Sequence, residues 1–535
     1  MLAFSLALLL PALCNGVPVV EVDGTTIMGR TLQHSGQDVF RGIPYAEPPV
    51  GARRFRPPHP KKLPALLNAA EFGVACLQPF AQPDTQMSED CLTLNIQRPP
   101  GTNGTNAYPV MVWIHGGGFY IGSASDSNLN ATDLISYSVT RGTPIVYVNL
   151  NYRLGGLGFP QGARAIDRGS HNLGLKDQLL AIQWVHDHIA AFGGDPKKVT
   201  LFGESAGAFS TATHLFNPAI EGLIAGVILE SGTAKASRAE LREGFWQRFS
   251  AAADCDEQDP WDWLMAADSD VLLKATKAVT VRDAPLDFVP VIDGDDGLIP
   301  DFPSRLYEAG KFAKVPVLSG VNLDEGSVFA PEYTSSSEEI RARLIATYLS
   351  SAAVSQAQVE EVVDKLMEIY PDIPALGSPY NTGNETFGLS SQYKRLGSLL
   401  GDLAFVAPVR LHLRALAKAD VQVYSYLFTE NSGARPPQEG IAHTDEIAYV
   451  YGQPPVPVSS SSARLTGLVM DYWLSFAYEQ HPNDGRGHNR PEWLPYTEGS
   501  PVIMQLNGVD LRMIPDNYRE EQINFIISKA DILGL

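Results

Sequence analysis

The chain has 535 residues, of which 44% are hydrophobic and 19% charged, with a formal net charge of −20. These values fit a large globular fold and exclude a disordered, collagen-like or low-complexity chain. The excess of acid argues against nucleic acid or an anionic membrane surface as a partner.

In chain order, residues 1–16 form an apolar run, MLAFSLALLLPALCNG, that ends in small residues. It is too short to cross a bilayer as a helix. At the extreme N-terminus it predicts a secretory signal peptide cleaved after Gly16, leaving 17–535 as a single secreted domain. No later stretch reads as membrane-spanning, so no stable membrane anchor is expected. Asn103, Asn130 and Asn384 head N-x-S/T sequons and are glycosylation candidates. In an oxidising compartment Cys76 and Cys91 are expected to pair, closing a loop of about fifteen residues worth roughly 3 kcal/mol. Cys255 is then left as a buried free thiol.

Val19–Val22 and Thr26–Met28 predict short strands. Phe40 to Pro49, with Arg54-Phe55 beyond, is Pro-rich and predicts little regular structure. Ser88 to Ile96 leads into a strand. Pro109–Ile114 is a nearly continuous apolar run, as expected for a strand covered on both faces. Pro144–Asn149, Val199–Phe202, Gly226–Glu230, Val315–Gly320 and Val421–Phe428 repeat that signature. Between them, Leu179, Ile182, Trp184, Val185 and Ile189 recur at helical spacing until Gly193-Gly194. Arg519 to Leu533 predicts a closing helix. Strands alternating with helices imply a mostly parallel central sheet flanked by helices. Segments near 235–310 and 330–400 are expected to be helical insertions over the site.

The chemistry centres on Gly203-Glu204-Ser205-Ala206-Gly207. A buried strand that breaks at G-x-S-x-G and continues as a helix describes a nucleophile elbow, which presents the Ser205 hydroxyl on a tight turn. The flanking glycines admit close backbone approach. Upstream, His115-Gly116-Gly117-Gly118 ends a strand where backbone N–H groups can converge on an oxyanion. Serine chemistry also needs a base and an acid, in the order Ser, acid, His for this arrangement. Among eleven histidines, His443 lies in an irregular stretch after a strand and is the candidate base. His412 falls in a helical pattern and reads as structural; His481 and His488 lie in a polar loop and read as solvent-facing. His186 and His188 point to divergent helix faces and make a poor metal pair. For the acid, the turn after the Val315 strand offers Asp324 and Glu325, and sequence physics leaves both open. No cofactor and no metal set are expected.

Taken together, Phe40-Arg-Gly-Ile-Pro-Tyr-Ala, Ser88-Glu-Asp-Cys-Leu, His115-Gly-Gly-Gly-Phe, Phe202-Gly-Glu-Ser-Ala-Gly, Glu230-Ser-Gly, Asp324-Glu-Gly and Gly440-Ile-Ala-His resemble the type-B carboxylesterase/lipase family, which includes cholinesterases and fungal lipases. The resemblance spans the chain from about residue 20 onward. It implies an α/β-hydrolase fold, with Ser205 as nucleophile, Glu325 as acid and His443 as base. It implies the N–H groups of Gly117, Gly118 and Ala206 as the oxyanion hole, and a Cys76–Cys91 disulfide. It also implies buried pairs Arg54–Glu89 and Arg153–Asp177, and Ser231 as a hydrogen-bonding neighbour of the site. The segment between Cys76 and Cys91 is short and lacks tryptophan, unlike the aromatic platform of cholinesterases, so choline esters are not the expected substrate. It is also far shorter than the lid of interfacially activated fungal lipases, which implies a more open site. The second disulfide of the family lacks a partner for Cys255. The expected activity is hydrolysis of a small-molecule or lipid ester, whether as esterase, lipase, sterol esterase or feruloyl-type esterase. A non-catalytic adhesion module of the same fold would lack the serine or the histidine, and both are present.

Overall fold

A computed structural model of the protein describes residues 16–80, 85–255, 260–279, 288–349 and 354–535. The expected signal peptide therefore lies outside the described residues apart from Gly16. An eleven-stranded sheet forms the centre. From one edge to the other its strands are Arg512–Pro515, Val502–Leu506, Val423–Phe428, Val317–Asn322, Gly226–Glu230, Gly194–Glu204, Tyr108–Ile114, Val146–Leu150, Thr93–Arg98, Asp38–Pro44 and Arg30–Thr31. The neighbours from Val502–Leu506 through Val146–Leu150 pair in parallel. The outer strands on both edges pair antiparallel. Val146–Leu150, Gly226–Glu230, Val317–Asn322 and Val423–Phe428 are buried at every position, which is why they read as unbroken apolar runs with no alternation.

Helices Leu173–His188 and Ala206–His214 cover one face, and Ser460–Glu479 covers the other. The insertions are helical, with Glu243–Ala252 and Ser269–Val279 in the first and Ser337–Leu349, Gln356–Ile369 and Ser391–Gly401 in the second. Cys76 and Cys91 are joined by a disulfide, and Cys255 is a buried free thiol. Arg54 binds Glu89 through two hydrogen bonds of 2.6 and 2.7 Å, and Arg153 binds Asp177 at 2.7 and 2.8 Å. All four side chains are buried.

Two expectations need correction. Asp38–Pro44 is a strand that pairs with Thr93–Arg98, not irregular chain. Its register shifts between Phe40 and Ile43 at Gly42, so a bulge interrupts the alternation that marks a strand in sequence. The helical run Ser391–Lys418 is long and apolar enough to cross a membrane, yet 83% of its apolar window is buried inside the fold, as befits a core helix. His488 is exposed as expected, with its Nδ1 2.9 Å from the buried Asp471 carboxylate.

Candidate active site

The sheet delivers the chemistry at its carboxyl end. Ser205 follows the strand Gly194–Glu204 and opens the helix Ala206–His214 with φ 55° and ψ −124°. Few non-glycine residues hold a positive φ, and one at a strand-to-helix turn marks stored strain at a functional position. Two glycines make the turn possible. A Cβ on Gly207 would sit 1.9 Å from the Ile114 carbonyl oxygen, and one on Gly203 would sit 2.5 Å from the same atom. The elbow therefore packs backbone to backbone against the neighbouring strand end, just before His115.

That strand end carries the triple glycine. A Cβ on Gly116 would lie 3.2 Å from the Ser205 Cβ, so the loop abuts Ser205. Gly117 and Gly118 both hold positive φ, 96° and 61°. Among the described residues the N–H groups of Gly117 and Gly118 bond to no other main-chain carbonyl. Ala206, as first residue of its helix, has no intrahelical acceptor for its N–H. The three N–H groups expected at an oxyanion hole thus belong to the elbow and to the glycine loop beside it, and among the described residues they have no main-chain acceptor.

The turn after Val317–Asn322 settles the contacts of the two candidate acids. Glu325 reaches His443, with Oε2 2.6 Å from Nδ1, while its Oε1 accepts from the N–H of Asn322 at 2.7 Å. Asp324 points elsewhere, accepting from the N–H groups of Ile441 (3.0 Å) and Tyr380 (2.8 Å) and from the Ser378 hydroxyl (3.0 Å). Asp324 and Ala442 also form an isolated parallel bridge, and Asn322 Nδ2 donates to the Ala442 carbonyl at 2.7 Å. The acid turn and the histidine loop are stitched together on either side of the Glu325–His443 contact.

Beyond His443, the Nε2 atom lies 3.0 Å from Oε1 of Glu204, the residue immediately before Ser205. Neither atom has a hydrogen-bond partner, so the two are close without a hydrogen bond between them. Burial alone would lower the basicity of His443, but the carboxylates of Glu204 and Glu325 more than offset it and push its pKa up to about 9. Burial raises Glu204 to about 8, with His443 opposing and Glu446 and Glu325 adding to the rise. Glu446 is raised to about 7 by burial and then by Glu325; it accepts from Asn322 Nδ2 (2.6 Å) and from the Ser231 hydroxyl (3.0 Å). Ser231 is therefore tied to a carboxylate, with no histidine as its base.

Aromatic rings hold the imidazole plane. Phe405 lies 4.5 Å and Phe329 5.2 Å from the His443 ring, centroid to centroid. Phe405 comes from the single π-helical turn Asp402–Val406 inside the long core helix, a local irregularity typical of functional positions. Of the other histidines, His412 is fully buried against Tyr307 and the Thr233 hydroxyl. Among the described residues no cluster of three or more His, Cys, Asp or Glu side chains has the arrangement of a metal site.

Sequence reasoning did not find Glu204, Glu446, Asn322, Phe329 or Phe405 as parts of this site. Glu204 stood inside the elbow motif, but nothing in its spacing shows that it lies beside the His443 imidazole. The π turn has no sequence signature.

Comparison with known proteins identifies the family and the fold. The carboxylesterase family model matches residues 16–526. Lipase 1 of Geotrichum candidum is 32% identical, covering 97% of this chain and 96% of its own length. The secreted triacylglycerol lipase LIP1 of Gibberella zeae is 33% identical over 96% of this chain and 90% of its own. Among solved structures, EstA of Aspergillus niger superposes with a TM-score of 0.84 at 28% identity, covering 97% of this chain and all of that one. The protein is a carboxylic-ester hydrolase with the α/β-hydrolase fold, and it belongs to the carboxylesterase family.

Proposed function

We propose that the protein is a secreted serine esterase that works through an acyl-enzyme, with Ser205, His443 and Glu325 as its catalytic residues. The observation that carries this reading is the 2.6 Å contact between Glu325 and Nδ1 of His443, which aims Nε2 at the elbow. In the first step Ser205 Oγ attacks the ester carbonyl carbon while His443 Nε2 takes the hydroxyl proton. Glu325 fixes the tautomer and stabilises the imidazolium. The N–H groups of Gly117, Gly118 and Ala206 receive the carbonyl oxygen as it becomes an oxyanion; one such donor is worth roughly 2.7–4 kcal/mol in the transition state. His443 then protonates the departing alcohol, and a water activated by the same nitrogen cleaves the acyl-enzyme. The chain supplies every group in this cycle, and no step calls for a cofactor or metal.

Secretion is supported by the N-terminal apolar run, the Cys76–Cys91 disulfide, and relatives named as secreted lipases. Asn103, Asn130 and Asn384 are all exposed, as glycan acceptors must be. On this reading the mature chain is one domain running from residue 17 to residue 535. Ser205→Ala tests the assignment: hydrolysis of p-nitrophenyl butyrate should vanish with folding retained, and unchanged turnover would refute it.

A second reading, action on long-chain acylglycerols, is favoured by the relatives named as lipases. The short disulfide-closed segment, with a separation of 15 residues, favours soluble short-chain esters instead. Rates on p-nitrophenyl butyrate, p-nitrophenyl palmitate and emulsified triolein separate them. A jump in rate at the emulsion interface supports the lipase.

A further inference from the structure

We propose that Gln78 is a positioning residue for the oxyanion loop, and that through it the neighbouring Cys76–Cys91 disulfide governs the rate of ester turnover. The proposal rests on the reading of Gly117 and Gly118 as oxyanion donors.

The loop from His115 to Gly122 needs an external restraint. It contains Gly116, Gly117, Gly118 and Gly122, and glycine loses more freedom than any other residue when it is fixed. Inside the loop, Tyr120 and Ile121 donate to the Gly117 carbonyl at 3.1 and 3.0 Å, which closes one turn but does not anchor it to the fold. Anchoring comes from the middle, where the Phe119 carbonyl accepts from the N–H of Gly155 at 2.8 Å, and from the two ends. At the first, the Tyr152 hydroxyl donates to the His115 carbonyl at 2.9 Å, and its ring stacks on the His115 imidazole at 4.4 Å.

At the second end stands Gln78. Its Oε1 accepts from the N–H of Gly122 at 2.9 Å, and its Nε2 donates to the carbonyl of the same residue at 2.9 Å. One side-chain amide thus satisfies both backbone groups of one glycine, as a strand neighbour would, and fixes the peptide planes on both sides of it. Gly122 cannot move inward: at φ 120° a Cβ there would lie 2.2 Å from His115 Nδ1. Gln78 is itself buried, with 4% exposure, and its Nε2 also donates to the Cys76 carbonyl at 3.2 Å.

Gln78 follows the disulfide by two residues. Cys91, across that bond, accepts from Asn151 Nδ2 at 3.2 Å, and Asn151 Oδ1 accepts from the N–H of Ala124 just beyond the oxyanion loop. The disulfide, Gln78 and the Asn151-Tyr152 pair therefore form a frame around the loop, and Gln78 is its contact with the catalytic end. An oxyanion hole stabilises the transition state only when its donors are held in place beforehand, and a displacement near 1 Å costs about a hundredfold. In this protein Gln78 and the Cys76–Cys91 disulfide act as a brace for the oxyanion loop.

The test is a set of kinetic constants on Gln78→Met and Gln78→Glu, normalised to active sites titrated with a fluorophosphonate. A trifluoromethyl ketone serves as the second probe, because its adduct with Ser205 loads the oxyanion hole. The expected result is a kcat lowered about 10- to 100-fold with KM within about twofold, and a ketone inhibition constant raised by the same factor as kcat falls. If Gln78→Met is recovered only unfolded, the same constants are read in Gln78→Glu and in a Cys76→Ser/Cys91→Ser double variant. Folded Gln78→Glu or double-variant enzyme with kcat and inhibition constant within twofold of wild type overturns the proposal. So does a loss of activity that disappears on normalisation to titrated sites, which marks a merely structural role. A wild-type enzyme that neither labels with the fluorophosphonate nor binds the ketone would instead sink the serine-esterase reading.

Discussion

Nε2 of His443 lies 3.0 Å from a carboxylate oxygen of Glu204, the residue that immediately precedes Ser205. The imidazole is thus flanked by acid on both nitrogens, since Glu325 holds Nδ1. Glu325 orients the ring. In the proposed mechanism Glu204 competes for the nitrogen that takes the Ser205 proton.

This competition predicts an alkaline activity profile. His443 must be neutral to act as base, and its pKa is pushed up to about 9. The value of kcat/KM should therefore rise from pH 7 toward pH 9, with an apparent midpoint that belongs to the His443–Glu204 pair. Glu204→Gln removes the negative charge at Nε2 and lowers the imidazole pKa, so the rising limb should move about one to two units toward acid. A limb that stays in place in the variant contradicts the assignment of Glu204.

The two neighbouring acids should separate cleanly. Glu325→Gln leaves the imidazole without its orienting carboxylate and should lower kcat about a thousandfold or more at full folding. Asp324→Asn replaces an acceptor of the Ile441, Tyr380 and Ser378 donors. It should cost about 1–3 kcal/mol of stability, read as a denaturation midpoint, and much less activity per folded molecule. A larger kcat loss in Asp324→Asn than in Glu325→Gln would reverse their roles.

Much of this could be read from sequence, for identifiable reasons. The interior strands are buried on both faces, so Pro109–Ile114 and Gly226–Glu230 announce themselves as apolar runs. The elbow glycines are required by clashes of 1.9 and 2.5 Å, which no other residue avoids, so they appear as a motif. Asp38–Pro44 was hidden because Gly42 bulges and Pro44 closes a strand near the sheet edge. Asp324 and Glu325 were indistinguishable because adjacent residues on a turn differ in direction, and direction follows from the bridge to Ala442. Glu204 faces His443 across more than two hundred residues of chain, a separation that no local pattern encodes.

The clash at the elbow makes its own prediction. Gly207→Ala would force a methyl group to 1.9 Å from the Ile114 carbonyl oxygen, against backbone that has no slack. It should destabilise by about 3 kcal/mol and abolish activity through displacement of the Ser205 turn. A stable, active Gly207→Ala enzyme would mean that the elbow is looser than described.

The buried Arg54–Glu89 pair should be structural. Arg54 also donates to the carbonyls of Leu264, Met265 and Ala267, so it ties the first helical insertion to the core. Arg54→Met leaves Glu89 without its guanidinium partner and should cost about 3–5 kcal/mol in urea unfolding. Refolded protein should keep its KM. A change below about 1 kcal/mol would show that Ser269, which donates to Glu89 at 2.5 Å, is sufficient alone.

The most direct test of the central claim is covalent. Wild-type protein treated with a fluorophosphonate and digested should yield, by mass spectrometry, one modified peptide with the adduct on Ser205, formed in step with loss of p-nitrophenyl butyrate hydrolysis. His443→Ala should block both. An adduct on another serine that tracks the loss of activity, or full hydrolysis after Ser205 is quantitatively labelled, would contradict the account.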